Sequence, residues 1–238
     1  MSREKNKAET LERFRKDTAD HKMTIRRDDG LYRHLRFRKP GTGVYGFDIV
    51  TWPGHLAISG DMGASVFTRL DDMFQFFRET PERHEHHGGL YINSGYWAEK
   101  CIANDGEKKR FSLDLFKQVV RDHFDQYMAT QDSEAAGFSA ARDALWEHVG
   151  EELFDTCDEE TGMAISLMDE FTPGEIHSLS IADTDGYSGW FDDFRFSDAW
   201  DMASSVEDYT FHFLWRLCAI AHAVKSYDDA KAMQAVPS

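Results

Sequence analysis

Tyr32, His34, Arg36 and Arg38 alternate along one short stretch of the chain. In extended backbone, alternate side chains share a face. That face would carry one aromatic ring, one imidazole and two permanent cations, a chemistry suited to bases and phosphates. The competing use of such a strand is to neutralise acidic parts of the same chain or of a partner. Asp48 and Asp61 stand near Trp52 and His55. A carboxylate there has the chemistry of a general acid or a metal ligand, although an outward strand residue and a turn former are the simpler assignments. His84, His86 and His87 surround Glu85. Imidazole and carboxylate bind transition metals, but this spacing matches no closed four-ligand motif. The glycines that follow favour an exposed loop, so no metal is assigned. Asp183 and Asp185 precede Gly186, with Asp192 six residues after the glycine, as in the latter part of a calcium loop. Ile181 occupies the first ligand position and Asp replaces the usual Glu at the last, which leaves an Asp-Gly turn. The chain has no Gly-x-Ser-x-Gly elbow, no phosphate-binding Walker loop, no Gly-x-Gly-x-x-Gly and no His-Glu-x-x-His. No cofactor is expected, and catalysis is not the favoured reading.

Charge is distributed unevenly. The net charge is −16. Residues 1–50 hold 13 Lys and Arg against 8 Asp and Glu, whereas residues 132–210 hold 21 acids against Arg142 and Arg195 alone. Free nucleic acid is repelled by the second segment and a basic protein surface is attracted to it. Asp158, Glu159, Glu160, Asp192 and Asp193 are the chosen representatives of a partner-binding acidic face. The simpler account is a solvated face that keeps the protein in solution.

These residues need elements to hold them. Residues 1–21 read as a charged helix that packs lightly. Met23–Arg27 and Leu31–Arg38 read as a hairpin around Asp28-Asp29-Gly30. Val44–Trp52 is a further strand, and His55–Ser59 and Ser65–Arg69 form another hairpin, which makes a β region of four or five strands over residues 22–69. The apolar period changes from 2 to 3.6 near Leu70. Asp71 or Asp72, Ser94 and Ser112 are the expected helix caps. Helices are expected over residues 113–127, 134–154 and 206–227, the last a central core helix because it is apolar on more than one side. Residues 70–227 are grouped as the helical region of the same domain, with 228–238 a flexible tail. The fold class is therefore α+β, an N-terminal antiparallel sheet packed by C-terminal helices.

Composition fits a core of ordinary size, since 41% of residues are apolar and 13% aromatic. Cys101, Cys157 and Cys218 are few, odd in number and widely spaced, which argues against a disulfide framework and suits a reducing compartment. The charged start is unlike a secretory signal, and the stretch 211–224 is too short and too polar for a membrane span. A cytoplasmic protein is expected.

Three segments carry a resemblance. They are Tyr32-Arg-His-Leu-Arg-Phe-Arg-Lys-Pro, Phe47-Asp-Ile-Val-Thr-Trp-Pro-Gly-His-Leu-Ala-Ile-Ser-Gly-Asp-Met-Gly and Asp72-Met-Phe-Gln-Phe-Phe-Arg, with Ile92-Asn-Ser-Gly-Tyr-Trp-Ala-Glu-Lys as an extension. Together they resemble a family of uncharacterised proteins encoded by tailed bacteriophages and prophages. The resemblance implies an accessory protein working in a bacterial host and carries no site residues. Joined to the acidic segment, it leads to the expectation of a non-enzymatic inhibitor or modulator of a host nucleic-acid-binding or defence machine, of the anti-CRISPR or anti-restriction type. The expected partner is thus a basic, nucleic-acid-handling host protein. Nucleic-acid binding by the Tyr32, His34, Arg36 and Arg38 face is the alternative. A small enzyme with an unrecognised carboxylate or histidine site comes third.

Overall fold

The computed structural model of the chain describes residues 3–78, 90–134, 137–173 and 191–235. It is α+β, with an N-terminal antiparallel sheet of six strands and helices that dominate the later chain. The expected helical grouping of residues 70–227 is divided differently by the contacts. Arg3–Lys108 and the stretch from Tyr209 onward form one compact unit, and Lys109–Asp208 form another. We call them the sheet unit and the helical unit.

The sheet unit opens with helix α1 (Arg3–Thr18), followed by β1 (Lys22–Asp29), β2 (Tyr32–Arg38), β3 (Phe47–Trp52), β4 (His55–Gly60) and β5 (Gly63–Thr68). After α2 (Met73–Phe77) and α3 (Ser94–Glu99), β6 (Cys101–Asn104) adds a sixth strand beside β5. The strands pair antiparallel in chain order. Pro53-Gly54 makes a two-residue turn in which Gly54 takes φ +79°, a conformation that costs glycine little. Gly60 pairs with Phe47, and a Cβ there would lie 2.2 Å from the carbonyl oxygen of Gly46, so only glycine lets the two strands approach. Asp72 caps α2 by accepting from the Phe74 amide at 3.0 Å, and Asn93, one residue before the expected Ser94, caps α3.

Alternation sorts the sheet into two faces. Leu35, Phe37, Phe47, Ile49, Leu56, Ile58 and Phe67 are all buried on the inner face. Against them packs α7 (Phe211–Ala235), whose Phe213, Trp215, Leu217 and Ile220 are buried. The Trp215 indole meets the Phe47 ring edge-on at 5.7 Å and the Phe14 ring of α1 at 5.1 Å. Each such side chain contributes about 1.5–3 kcal/mol by leaving water. The C-terminal helix was expected to be central, and it is, but it begins at Phe211 rather than 206 and serves the sheet.

The helical unit has its own core. Strands β7 (Lys109–Phe111) and β8 (Glu207–Tyr209) pair where the chain enters and leaves it. Between them lie α4 (Leu113–Met128), α5 (Phe138–Val149), a π-helical turn (Gly150–Phe154), α6 (Thr161–Glu170) and a 3-10 turn (Ala199–Ser205). Ser112 caps α4 as expected, its hydroxyl accepting from the Leu115 amide at 3.4 Å. Phe116, Val120, Phe124, Leu145, Val149, Leu153, Ile165 and Met168 are buried together with Phe194. The expected helix over 134–154 breaks into α5 and the π-helical turn, and α6 was not anticipated.

Candidate functional site

The outer face of the sheet gathers the basic strand residues around one carboxylate. Strand β2 projects His34, Arg36 and Arg38, and the register sets Arg36 opposite Asp48 on β3. Asp48 Oδ1 accepts from His34 Nε2 at 2.7 Å and from Arg36 Nε at 2.9 Å. Its Oδ2 accepts from Arg38 Nη2 at 2.7 Å. The Asp48 side chain is only 13% exposed. Burial resists its ionisation, but the hydrogen bonds from His34 and Arg36 and the charges of the two arginines prevail and hold it below the usual carboxylate range. Tyr32 stands apart at the far end of β2, opposite Asp29, with the Arg27 guanidinium 5.0 Å from its ring centre. Three of the four proposed nucleic-acid contacts therefore converge and the fourth does not. A phosphate on this face would compete with Asp48 for the same guanidinium groups.

The other carboxylate of interest, Asp61, accepts from the Tyr45 amide at 2.8 Å and shapes the β4–β5 turn. His55 stacks on Trp52 with ring centres 5.0 Å apart and its Nδ1 meets the Pro53 carbonyl at 3.0 Å. Both are thus engaged in local structure. Among the described residues no group of three or more His, Cys, Asp or Glu is placed to hold a metal ion. His84, His86, His87 and the Asp183–Gly186 turn lie outside the described residues. Cys218 is buried and its thiol is pushed up to about 12 by that burial. Burial likewise raises Cys101.

Two arginines hold the sheet unit from within. Arg33 faces inward, donates to both carboxylate oxygens of Asp72 at 2.8 and 3.2 Å, and lies 4.7 Å from the Phe74 ring centre. Arg216, 2% exposed in the second turn of α7, donates to the Met62 carbonyl at 2.7 Å, to Asn104 Oδ1 at 3.0 Å and to the Asp105 carbonyl at 3.3 Å. Burial pulls its affinity for the proton down, against the opposing charge of Asp105. Sequence periodicity marks Arg33 as an interruption of an apolar face but contains no sign that Arg216 is buried.

The helical unit holds the acidic residues. Residues 109–208 carry 24 Asp and Glu against 6 Lys and Arg, a net of −18, while the rest of the chain carries 21 basic against 19 acidic residues. Every described acidic residue of the unit except Glu207 and Asp208 is exposed. Asp158, Glu159, Glu160, Asp192 and Asp193 are among them. Asp193 also accepts a hydrogen bond from the Tyr127 hydroxyl, and burial of that hydroxyl, followed by this bond, raises the phenol above its usual range. Among the described residues, no helix is long and apolar enough to cross a membrane. No family model matches the chain, and no match is found among curated proteins or solved structures.

Proposed function

We propose that the protein is a non-enzymatic modulator whose helical unit docks on the basic surface of a nucleic-acid-handling protein. One observation carries this reading: the net charge of the chain is concentrated in a single compact unit, and its described carboxylates, Glu207 and Asp208 apart, are exposed. Six cations cannot pair 24 carboxylates, so a large excess faces outward. Such a surface attracts a groove built for phosphates and repels nucleic acid itself, which makes it a competitor for that groove. On this reading the partner belongs to a bacterial host, as the resemblance to phage-encoded proteins implies, and a defence nuclease or CRISPR effector is the kind of protein proposed.

Association of this kind is fast and weakens with salt, because at about 0.15 M the reach of a charge is about 8 Å. The test is a pulldown from bacterial lysate with the full chain at low and high salt. A second bait carries Asp158→Asn, Glu159→Gln, Glu160→Gln, Asp192→Asn and Asp193→Asn. A nucleic-acid-binding protein captured at low salt, displaced by added DNA and lost with the second bait supports the proposal. Capture that ignores salt, DNA and these substitutions removes it. The rival basic-face reading is separated by a gel shift with Arg36→Gln and Arg38→Gln. Nucleic acid bound by the parent and lost in this variant would favour the sheet face.

A further inference from the structure

Resting on that docking reading, we propose that the helical unit contains a specific receptor for one arginine side chain of the partner, a groove between the end of α5 and the end of α6. The groove has a volume of about 250 Å³ and is lined by His148, Glu152, Leu167, Glu170, Phe171 and Thr172. This is smaller than the roughly 300–1,000 Å³ of sites for drug-sized ligands, and it suits a single side chain.

Its chemistry is that of a cation with an apolar stem. Glu152 and Glu170 are exposed carboxylates at the groove, and Leu167 and Phe171 supply an apolar wall. His148 is 7% exposed, packs its ring 5.4 Å from Phe171, and reaches the Thr172 carbonyl only at 3.4 Å. A buried imidazole with so long a contact is weakly satisfied by the protein alone. The π-helical turn explains how Glu152 comes to the groove. Directly after His148 and Val149 the helix widens over Gly150–Phe154, and such a widening shifts the side chains that follow relative to an unbroken α-helix.

Arginine fits better than lysine on two counts. Its planar guanidinium offers five donors to carboxylate oxygens, and it sheds water more readily than an ammonium. Two carboxylates beside an apolar wall use both properties. The setting adds long-range attraction, because the groove belongs to the unit of net −18. The wider acidic surface draws the partner in, and the groove selects one side chain.

The experiment uses the full chain with fluorescein-labelled hexa-arginine and hexa-lysine peptides, read by fluorescence anisotropy at low salt. Three proteins are compared: the parent, Glu152→Gln with Glu170→Gln, and Glu159→Gln with Glu160→Gln. Both variants lose two negative charges, but only the first alters the groove. Hexa-arginine is expected to bind the parent several-fold more tightly than hexa-lysine, and the groove variant about ten-fold more weakly than the parent, equivalent to about 1.4 kcal/mol. The Glu159 and Glu160 variant should weaken by no more than about three-fold, a rim-charge effect. Equal weakening by the two variants, or equal binding of the two peptides, overturns the groove and leaves charge-driven docking standing. No binding of either peptide to the parent overturns docking itself. If the groove variant fails to fold, the parent decides the matter by NMR. The His148 ring resonances should move on titration with hexa-arginine, and their constancy at saturation would refute the receptor.

Discussion

The two units treat charge in opposite ways. In the sheet unit basic and acidic residues are nearly balanced, at 21 against 19, and many are joined across elements distant in sequence. Arg33 with Asp72, Asp48 with three donors of β2, and Arg78 with Asp228 at 2.6 Å tie strands, loops and α7 together. In the helical unit Arg142 pairs with its sequence neighbour Asp143, at 2.7 Å, and 24 acids face 6 bases. The first unit uses charge as structure. The second is held by its phenylalanine-rich core and leaves its charge outside, where charge contributes little to stability and is available for recognition.

That contrast breaks most visibly at Arg216. Arg216→Ala should cost the sheet unit about 3 kcal/mol or more, because it removes a guanidinium that satisfies three acceptors in the interior and leaves a cavity. A urea melt followed by tryptophan fluorescence measures it, and a loss below about 1 kcal/mol would show that the guanidinium is dispensable. The matched pair for the comparison is one carboxylate from the sheet against two from the helical unit. Asp48→Ala strips three donors of their shared acceptor and should cost about 2 kcal/mol. Glu159→Gln with Glu160→Gln should change stability by no more than about 0.5 kcal/mol, as exposed substitutions usually do. Similar costs for both would erase the distinction between the units.

Acid should also act first on the sheet unit. His21 and His222 are held below the ordinary histidine value of 6.5 by burial. His222 sits against Phe14 and Phe37 at 5.6 and 5.5 Å, and neither ring nitrogen of His21 completes a hydrogen bond of normal geometry. The unfolded chain therefore binds protons at a higher pH than the folded one. Stability that is complete above about pH 6.5 is lost as pH falls toward the folded values. Asp28, Asp48 and Asp72 are depressed below 3.8, so their contribution is present above that value and is lost only as pH falls through their folded values. Thermal melts between pH 7.5 and 5 should show the histidine step, and His21→Gln with His222→Gln should abolish it. The smallest effect expected is that of salt. Raising it from about 0.05 to 0.5 M screens like charges and should stabilise the helical unit by a few tenths of a kcal/mol, with no matching gain in the sheet unit. A fall in the stability of the helical unit would mean that its carboxylates are internally paired.

What the sequence by itself determined was what depends on neighbours along the chain. Alternation over residues 31–38 placed Leu35 and Phe37 inward and His34 and Arg36 outward, because successive side chains of a strand point to opposite faces. Ser112 announced the start of α4, because a cap bonds an amide three residues away. The acidic segment was plain from composition. Tertiary structure alone decided what depends on residues far apart. It set Asp48 among three donors through the β2–β3 register, and it recruited Cys101–Asn104 as a sixth strand. Arg216 was brought within reach of Met62, Asn104 and Asp105, more than a hundred positions away. Tertiary contacts also returned α7 to the sheet while Lys109–Asp208 gathered around a core of their own. Periodicity reports which face of an element is apolar, but not which other element covers it, since that choice is made by packing and register across the whole chain.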